Sequence, residues 1–495
     1  MKQSNIIAID LGANSGRAIV GRFGKGQLEV DELHRFSNGP VSVHGRLYWD
    51  VLKMFTEVKE SLCKYASKYD EEPLSIGIDS WGVDYSLFDS RGRLIHNPVH
   101  YRDVRTQGKM KEAFEVVPRE EIFRETGIQF MELNTLYQLF AQQHEDPESL
   151  DYAQDFLMMA DVFHYFLTGQ MTSEFTLTTT SQLYDPVKKR WASGLFEKFN
   201  FPMEIMPKVI APGTQVGNLT ADIAEDVGLG QIPVIAPASH DTASAVAAIP
   251  ASGRSWGFIS SGTWSLLGKE ITDPLINQDV LDANFTNEGG VAGTYRFLRN
   301  LTGLWLVQEC KREWARNGEN YSYEELTNMA SHADGFSSFV DPDHQIFQPP
   351  RDMPRRICQF CSQTGQEIPA GKAELIRLIL DSLALNYRYV MDKLESLLKE
   401  KIEIVHIVGG GVRNQLLSQF SANALNRTVI TGPAESTAIG NVLVQGIELG
   451  EISSLSEGRK IVGNSVNLET YKPENINVWN DAYKRFCQLK AQSTS

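Results

Sequence analysis

The chain opens with NIIAIDLGANSGRAIVGRF, two β-branched runs joined by a small-residue turn, and uses the same device again from Ser255 in SWGFISSGTWSLLGKE. Ile6, Ile7 and Ile9 precede the first turn and Ala18, Ile19 and Val20 follow it, the pattern of a buried hairpin. GQLEVDELHRF adds a third strand and completes a meander. WDVLKMFTEVKESLCKYA then switches to helical spacing, with Val51, Leu52, Phe55, Val58, Leu62 and Tyr65 at three- and four-residue steps. LSIGIDSWGVDYSLFD returns to strand. The second hairpin is followed much later by a long amphipathic helix, AELIRLILDSLALNYRYVMDKLESLLK, and then by strand, triple glycine and helix in KIEIVHIVGGGVRNQLLSQFSANAL. Its apolar stripe, from Ile376 to Leu397, reads as core packing. Strands alternating with helices imply sheets covered by helices, so the chain is expected to hold two α/β domains that open alike. The boundary is placed in the small, Pro/Gly/Ser-containing stretch Ala247–Arg254, giving domains of residues 1–246 and 247–495.

Length agrees with that count, since 495 residues exceed one typical core. The net charge of −15 argues against a nucleic-acid partner, whose binding surface is basic. It does not exclude anionic ligands, because backbone amides bind phosphate without a cationic side chain. Five sparse cysteines form no disulfide framework and suit a reducing compartment. Cys358 and Cys361 make a lone C-x-x-C without the second pair that zinc requires, and are expected as ordinary thiols in a loop. The N-terminus shows no signal-peptide pattern and no apolar run reaches about 18 residues, so a cytoplasmic protein without a membrane partner is expected.

Several stretches carry groups suited to chemistry. In DLGANSGR, Gly12 and Gly16 permit a tight turn and close backbone approach, consecutive amides form a nest for an anion, and Arg17 adds a cation. Asp10, at the strand end, is suited to hold a magnesium ion through water. The same stretch also reads as a plain hairpin. SSGTWSL is a second such turn, with Thr263 and neighbouring hydroxyls. In VGGGVRN, bare glycine backbone offers a surface for a flat ligand. In PASHDTASAV, His240, Asp241 and Thr242 stand at the mouth of a buried strand, where desolvation penalises charge. A sugar hydroxyl attacking a nucleotide needs a carboxylate to orient it and take its proton, and Asp241 suits that role, with His240 and Thr242 on the sugar's other oxygens. The bland alternative is that Asp241 caps a helix. Asp84 is a rival base, Trp81 and Gly82 offer a stacking face and open backbone for the sugar, and Arg102, Asp103 and Arg105 read either as sugar contacts or as a surface ion-pair cluster.

The order DLGANSGR, DSWGVDY, YRDVRT, HDT, SSGTWS, GGGVRN resembles the FGGY family of carbohydrate kinases, over nearly the whole length. The resemblance implies a two-domain actin-like ATPase fold (ribonuclease H-like) around a central cleft, with a sugar-binding N-terminal and a nucleotide-binding C-terminal domain. It implies Asp241 as catalytic base and Gly82, His240, Asp241 and Thr242 on the sugar. It places Ala13, Asn14, Ser15, Gly16, Arg17, Thr263, Asn300, Gln308 and Gly410 or Gly411 on ATP, with Mg²⁺ accompanying it. Asn14 departs from the smaller residue usual in that turn. Within the family the chain is most similar to members acting on L-rhamnulose, which implies transfer of a phosphoryl group from ATP to O1 and a monomer or homodimer. Alternatives are a family member acting on L-fuculose or a pentulose, or a non-catalytic actin-like switch. Asp241 is expected to carry an ordinary carboxylate pKa, near 4, and so to act chiefly by orientation.

Overall fold

The computed structural model describes residues 4–253 and 255–493, so Arg254, the last residue of the expected boundary stretch, lies outside the described residues. The chain divides into two compact units. The first comprises residues 1–250, 270–297 and 436–465, and the second comprises 251–269, 298–435 and 466–495. The principal division thus falls close to the boundary stretch, and two later segments return to the first unit.

In the first unit the hairpin Asn5–Leu11/Ser15–Gly24 pairs antiparallel, and Gln27–Ser37 extends it as the third strand of the meander. Strand Ser75–Ser80 joins the other side of Asn5–Leu11 in parallel, and Pro233–Ile235 joins Ser75–Ser80 in parallel. Numbering these five in chain order, the sheet reads third, second, first, fourth, fifth, with Gln215–Asn218 antiparallel on the outer edge. Asn5–Leu11 and Ser75–Ser80 are buried along their whole length, as strands covered on both faces must be. Helix Val51–Lys68 starts at Asp50, whose side chain accepts from the Lys53 N–H. It buries Val51, Met54, Val58, Leu62 and Tyr65, while Leu52, expected in the stripe, faces solvent.

The second unit repeats this plan. Trp256–Ser261 pairs antiparallel with Trp264–Ile271, whose other neighbour is Tyr295–Thr302. On the opposite side Ile404–Val408 and then Thr428–Thr431 add in parallel, with Glu469–Tyr471 antiparallel at the edge. The order is again third, second, first, fourth, fifth. Both sheets are therefore ribonuclease H-like, and the two hairpins noted in the sequence are the first pair of strands of each copy. The 27-residue helix Lys372–Leu398 buries Ile376, Leu380, Leu383, Tyr387, Val390 and Leu394 of its expected stripe and leaves Leu397 half-buried. Cys358 and Cys361 lie on helix Met353–Gln363 rather than in a loop, and all five cysteines are free thiols. No helix among the described residues is long and apolar enough to cross a membrane.

Candidate functional site

Parallel strands in an open α/β sheet place ligands beyond their carboxyl ends, because the chain leaves each strand there and the loops diverge. In the first unit three acidic residues stand at those ends. Asp10 and Asp79 face each other in register on adjacent strands. Asp241 follows the fifth strand and is the first residue of helix Asp241–Ala247. The cap position belongs to His240, whose side chain makes no capping bond. Asp241 instead accepts from the Thr242 hydroxyl at 3.0 Å.

The Asp10 charge repels both other carboxyls. Burial pushes Asp79 well above the usual carboxylate range, with repulsion from Asp10 and then Asp241 adding to it and a bond from Asn441 opposing it. Asp241 is pushed up to about 7, first by desolvation and then by repulsion from Asp10, with the Thr242 bond pulling the other way. A third of the Asp241 side chain is still reachable by solvent. The carboxyl thus combines access with a raised pKa, and the expected ordinary value near 4 is corrected by its setting. Asp10 shares one oxygen, Oδ2, with Arg17 Nε at 2.9 Å and Nη2 at 2.7 Å. Asp79 Oδ2 accepts from Asn441 Nδ2 at 2.6 Å, and Asp79 Oδ1 is buried without a hydrogen-bond partner. Asn441 is itself oriented by Gln445, whose Nε2 donates to Asn441 Oδ1 at 2.6 Å and to the Ile7 carbonyl at 3.1 Å. No three acidic, histidine or cysteine side chains among the described residues converge as direct metal ligands. Asp10, whose side chain keeps some solvent access, nonetheless fits a hydrated cation that arrives with a phosphate, since Mg²⁺ keeps several waters, whereas Asp79 is fully buried.

The backbone leading to Asp241 is held by a buried polar set. Glu174 Oε2 accepts from the N–H groups of Thr176, Leu177 and Ser239, the last at 3.2 Å, and the Thr176 hydroxyl accepts from the His240 N–H at 3.0 Å. Burial pushes Glu174 up to about 8, against the bonds from Thr176. His240 is buried, and loss of hydration with the nearby charge of Arg296 holds its imidazole well below the usual range, hence neutral.

The DLGANSGR turn is a tight hairpin tip. Gly12 N–H donates to the Ser15 carbonyl at 3.0 Å, and Asn38 Nδ2 donates to the Gly12 carbonyl at 2.8 Å. Ala13 and Arg17 are half-buried and Asn14 and Ser15 exposed. The two glycines are required by close approach rather than by a left-handed backbone. A Cβ on Gly12 would lie 2.8 Å from the Ser15 carbonyl oxygen, and one on Gly16 would lie 2.2 Å from the Phe36 ring.

Trp81, Gly82 and Asp84 occupy the turn between strands Ser75–Ser80 and Tyr85–Phe88. Trp81 is buried, its ring packed on Trp49 at 4.1 Å between centroids, which leaves little of it to meet a sugar. Asp84 is fully buried and accepts from Trp49 Nε1 at 2.6 Å, Trp81 Nε1 at 2.9 Å, Gln138 Nε2 at 2.9 Å and the Tyr101 N–H at 3.3 Å. Burial lifts it to about 6 against those bonds. A carboxylate with four donors and no exposure organises the turn and has no lone pair presented to a substrate. Gly82 lies against Thr180, where a Cβ would come within 2.8 Å of Oγ1. Val83 has φ of +69°, a strained value for a β-branched residue, pinned by Thr180 Oγ1 on its N–H and by Thr135 Oγ1 on its carbonyl. Asp103 and Arg105 are buried rather than on the surface. Asp103 binds Arg46 and the Leu47 N–H, and Arg105 donates to Gln138 and Gln142. Arg102 is half-buried.

In the second unit Thr263 Oγ1 donates to Gln308 Oε1 at 3.0 Å, joining two of the expected nucleotide residues. The SSGTWSL turn is closed by Gly262 N–H on the Trp264 carbonyl and fixed from outside by Gly303 and Leu304, whose N–H groups donate to the Thr263 and Gly262 carbonyls. Asn300 is half-buried on strand Tyr295–Thr302, which leads into Gly303. The three glycines after Ile404–Val408 have separate jobs. Gly409 takes φ of +85°, Gly411 packs so closely that a Cβ would lie 2.0 Å from Ser261 Oγ, and Gly410 faces open space, with no atom within 4 Å of an added Cβ. The structure therefore favours Gly410 over Gly411 as bare backbone open to a ligand.

Asn441, Glu174, Thr176 and Arg296 carry no motif. Asp79 opens the DSWGVDY stretch, which by itself assigns it no role, although Ile-Gly-Ile-Asp at 76–79 repeats the Ile-Ala-Ile-Asp pattern at 7–10.

Comparison with known proteins agrees with this geometry. Residues 5–248 match the N-terminal domain, and residues 257–449 the C-terminal domain, of the FGGY family of carbohydrate kinases. The chain is 41% identical over 486 residues to a rhamnulokinase of Bacteroides thetaiotaomicron, covering 98% of this chain and 99% of that one. A rhamnulokinase of Halalkalibacterium halodurans is 38% identical, covering 94% and 98%. Among solved structures, a ligand-bound xylulose kinase and a gluconate kinase from Lactobacillus acidophilus superpose with TM-scores of 0.81 and 0.82 at 17% identity over at least 99% of each chain, which shows the shared fold. With both domains matched and near-complete coverage of its relatives, the chain belongs to the FGGY family of carbohydrate kinases.

Proposed function

We propose that the protein transfers the γ-phosphoryl group of ATP to O1 of L-rhamnulose, giving ADP and L-rhamnulose 1-phosphate. The substrate rests on the rhamnulokinase relatives, and the chemistry rests on one observation: a solvent-accessible carboxyl, Asp241, raised to about 7 at the carboxyl ends of the parallel strands. A base works best when its pKa lies near the working pH, so Asp241 is suited both to orient the sugar hydroxyl and to take its proton. The O1 hydroxyl would donate to Asp241. As the O1–phosphorus bond forms and the bond to the β-phosphate oxygen breaks, the O1 proton passes to Asp241 and ADP departs. Thr242 holds the carboxylate's orientation, and His240 and Gly82 would contact the sugar. Trp81 contributes through the turn it shares with Gly82.

For ATP, the tip Ala13, Asn14, Ser15, Gly16 and Arg17 would offer backbone amides and a cation to phosphate, with Thr263, Asn300, Gln308 and Gly410 on the nucleotide. Asp10 would hold Mg²⁺ through water. When bound, that ion neutralises charge on the phosphate oxygens. The partner is thus a small ketose, and the protein works where ATP is available, in the cytoplasm.

A coupled ADP-release assay over a ketose panel tests the reading. L-rhamnulose is expected to give the highest kcat/KM. Faster turnover of L-fuculose or a pentulose would reassign the substrate, and ATP turnover indifferent to every sugar would point to a switch rather than a kinase.

A further inference from the structure

Arg296 is among the largest fully buried side chains of the protein. A guanidinium is retained in such a place only when its charge is paired. Here Nε donates to the Gly289 carbonyl at 2.8 Å, Nη1 forms an ion pair with Glu288 Oε2 at 3.2 Å without hydrogen-bond geometry, and Nη2 points at His240 Nδ1 at 2.9 Å. Arginine carries donors only and stays protonated, so the ring nitrogen it faces must accept. The His240 proton therefore sits on Nε2.

That outcome is not what the other neighbour favours. Glu288 Oε2 lies 3.5 Å from the same Nδ1, and a carboxylate there would draw a proton onto it. Arg296 occupies both groups at once, pairing with Glu288 and claiming the Nδ1 lone pair. On the far side of the ring, Nε2 is 3.5 Å from Asp241 Oδ1, too long for a strong N–H···O bond, so the Nε2 hydrogen is not spent on Asp241. A donor and an acceptor thus stand side by side.

We propose that Arg296 is a positioning residue that locks His240 as the neutral Nε2–H tautomer, so that His240 Nε2–H and Asp241 together select a primary hydroxyl flanked by an accepting oxygen, as in a 1-hydroxy-2-ketone. This rests on the kinase reading above. The hydroxyl donates to Asp241 and the adjacent oxygen accepts from His240. A ring fixed in this form has no vacant lone pair for the hydroxyl proton, which leaves Asp241 as its destination.

The test starts with the ligand-free, full-length protein labelled with ¹⁵N-histidine, with the His240 signals identified by their loss in His240→Gln. The expected spectrum has Nδ1 bare and Nε2 protonated, unchanged between about pH 5 and pH 9. A protonated Nδ1, or a ring titrating near 6.5, overturns the proposal. Arg296→Met should then release the tautomer and lower kcat/KM for the best ketose by about tenfold or more, the effect of one lost hydrogen bond, with KM for ATP unchanged. Arg296→Lys, which keeps a cationic donor, should restore most of that loss. Loss of activity in Arg296→Met with the tautomer intact would show a merely structural role and refute the lock. Should Arg296→Met fail to fold, the wild-type spectrum and Arg296→Lys decide. If no ketose is phosphorylated while the spectrum shows Nε2–H, the kinase reading falls and the tautomer lock stands.

Discussion

The raised pKa of Asp241 makes the sugar step sensitive to pH in a way an ordinary aspartate would not. The direction follows from the charged form being the active one. With a pKa of about 7, Asp241 is ionised in about a tenth of molecules at pH 6 and in about nine tenths at pH 8. Measured as initial ADP release at low sugar concentration, kcat/KM should therefore rise about tenfold across that interval and level off above it. The cause can be checked separately. Desolvation is the larger contribution and the Asp10 charge the next, so Asp10→Asn should lower the Asp241 pKa without returning it to the usual carboxylate range. Because Asp10 is also placed near phosphate, that variant is read by ¹³C titration of Asp241 in the ligand-free protein rather than by rate. An aspartate titrating near 4 would already be ionised at pH 6. A flat kcat/KM between pH 6 and 8, together with an unmoved Asp241 titration in Asp10→Asn, would refute the argument.

Asp241→Asn should lower kcat by about 10²–10⁴ while leaving the fold intact. It should also raise the melting temperature at pH 8. A carboxyl whose folded pKa lies above its unfolded value favours the fold when protonated, and that contribution disappears as pH rises from about 4 to about 7, so the gain over wild type should vanish in acid. Asp84→Asn should behave oppositely, losing about 1–3 kcal/mol in denaturant titration because an amide NH₂ must face one of four donors, and retaining turnover in the molecules that remain folded. Full stability with lost turnover would instead make Asp84 the base. Gly411→Ala should cost about 1–3 kcal/mol through its clash with Ser261, whereas Gly410→Val should leave stability nearly unchanged and raise KM for ATP, as kinetics and melting on the same samples would show.

The kind of chemistry was legible in the sequence, and its tuning was not, for a physical reason. Asp10 and Asp241 could be found because Asp10 closes a β-branched run and Asp241 opens the helix that follows another, and charges beside the ends of buried strands have few purpose-free explanations. The duplicated hairpin likewise predicts two similar sheets, because three strands in a meander leave only one edge of the first strand for a parallel neighbour. The pKa of Asp241 is raised by its enclosure and by Asp10, against Thr242 and Arg296, and the residues around it come from segments that no local pattern connects. Arg296 meets His240 across 56 residues of chain, and Asn441 reaches Asp79 across 362. Asn441 rides on helix Ser436–Glu448, which the chain order assigns to the second half and the structure assigns to the first unit. The helix can approach because Gly440 lies where any Cβ would fall 1.8 Å from the Ser244 carbonyl oxygen, and because Val442 fills the space beside Gly21. A glycine in mid-helix costs about 1 kcal/mol relative to alanine, so its presence there needed a compensating contact, and that contact is with the helix carrying Asp241. The burial of Asp241 is thus shared among distant segments, and a single substitution at Gly440 should shift the ¹³C titration of Asp241 without touching any residue proposed to contact the sugar.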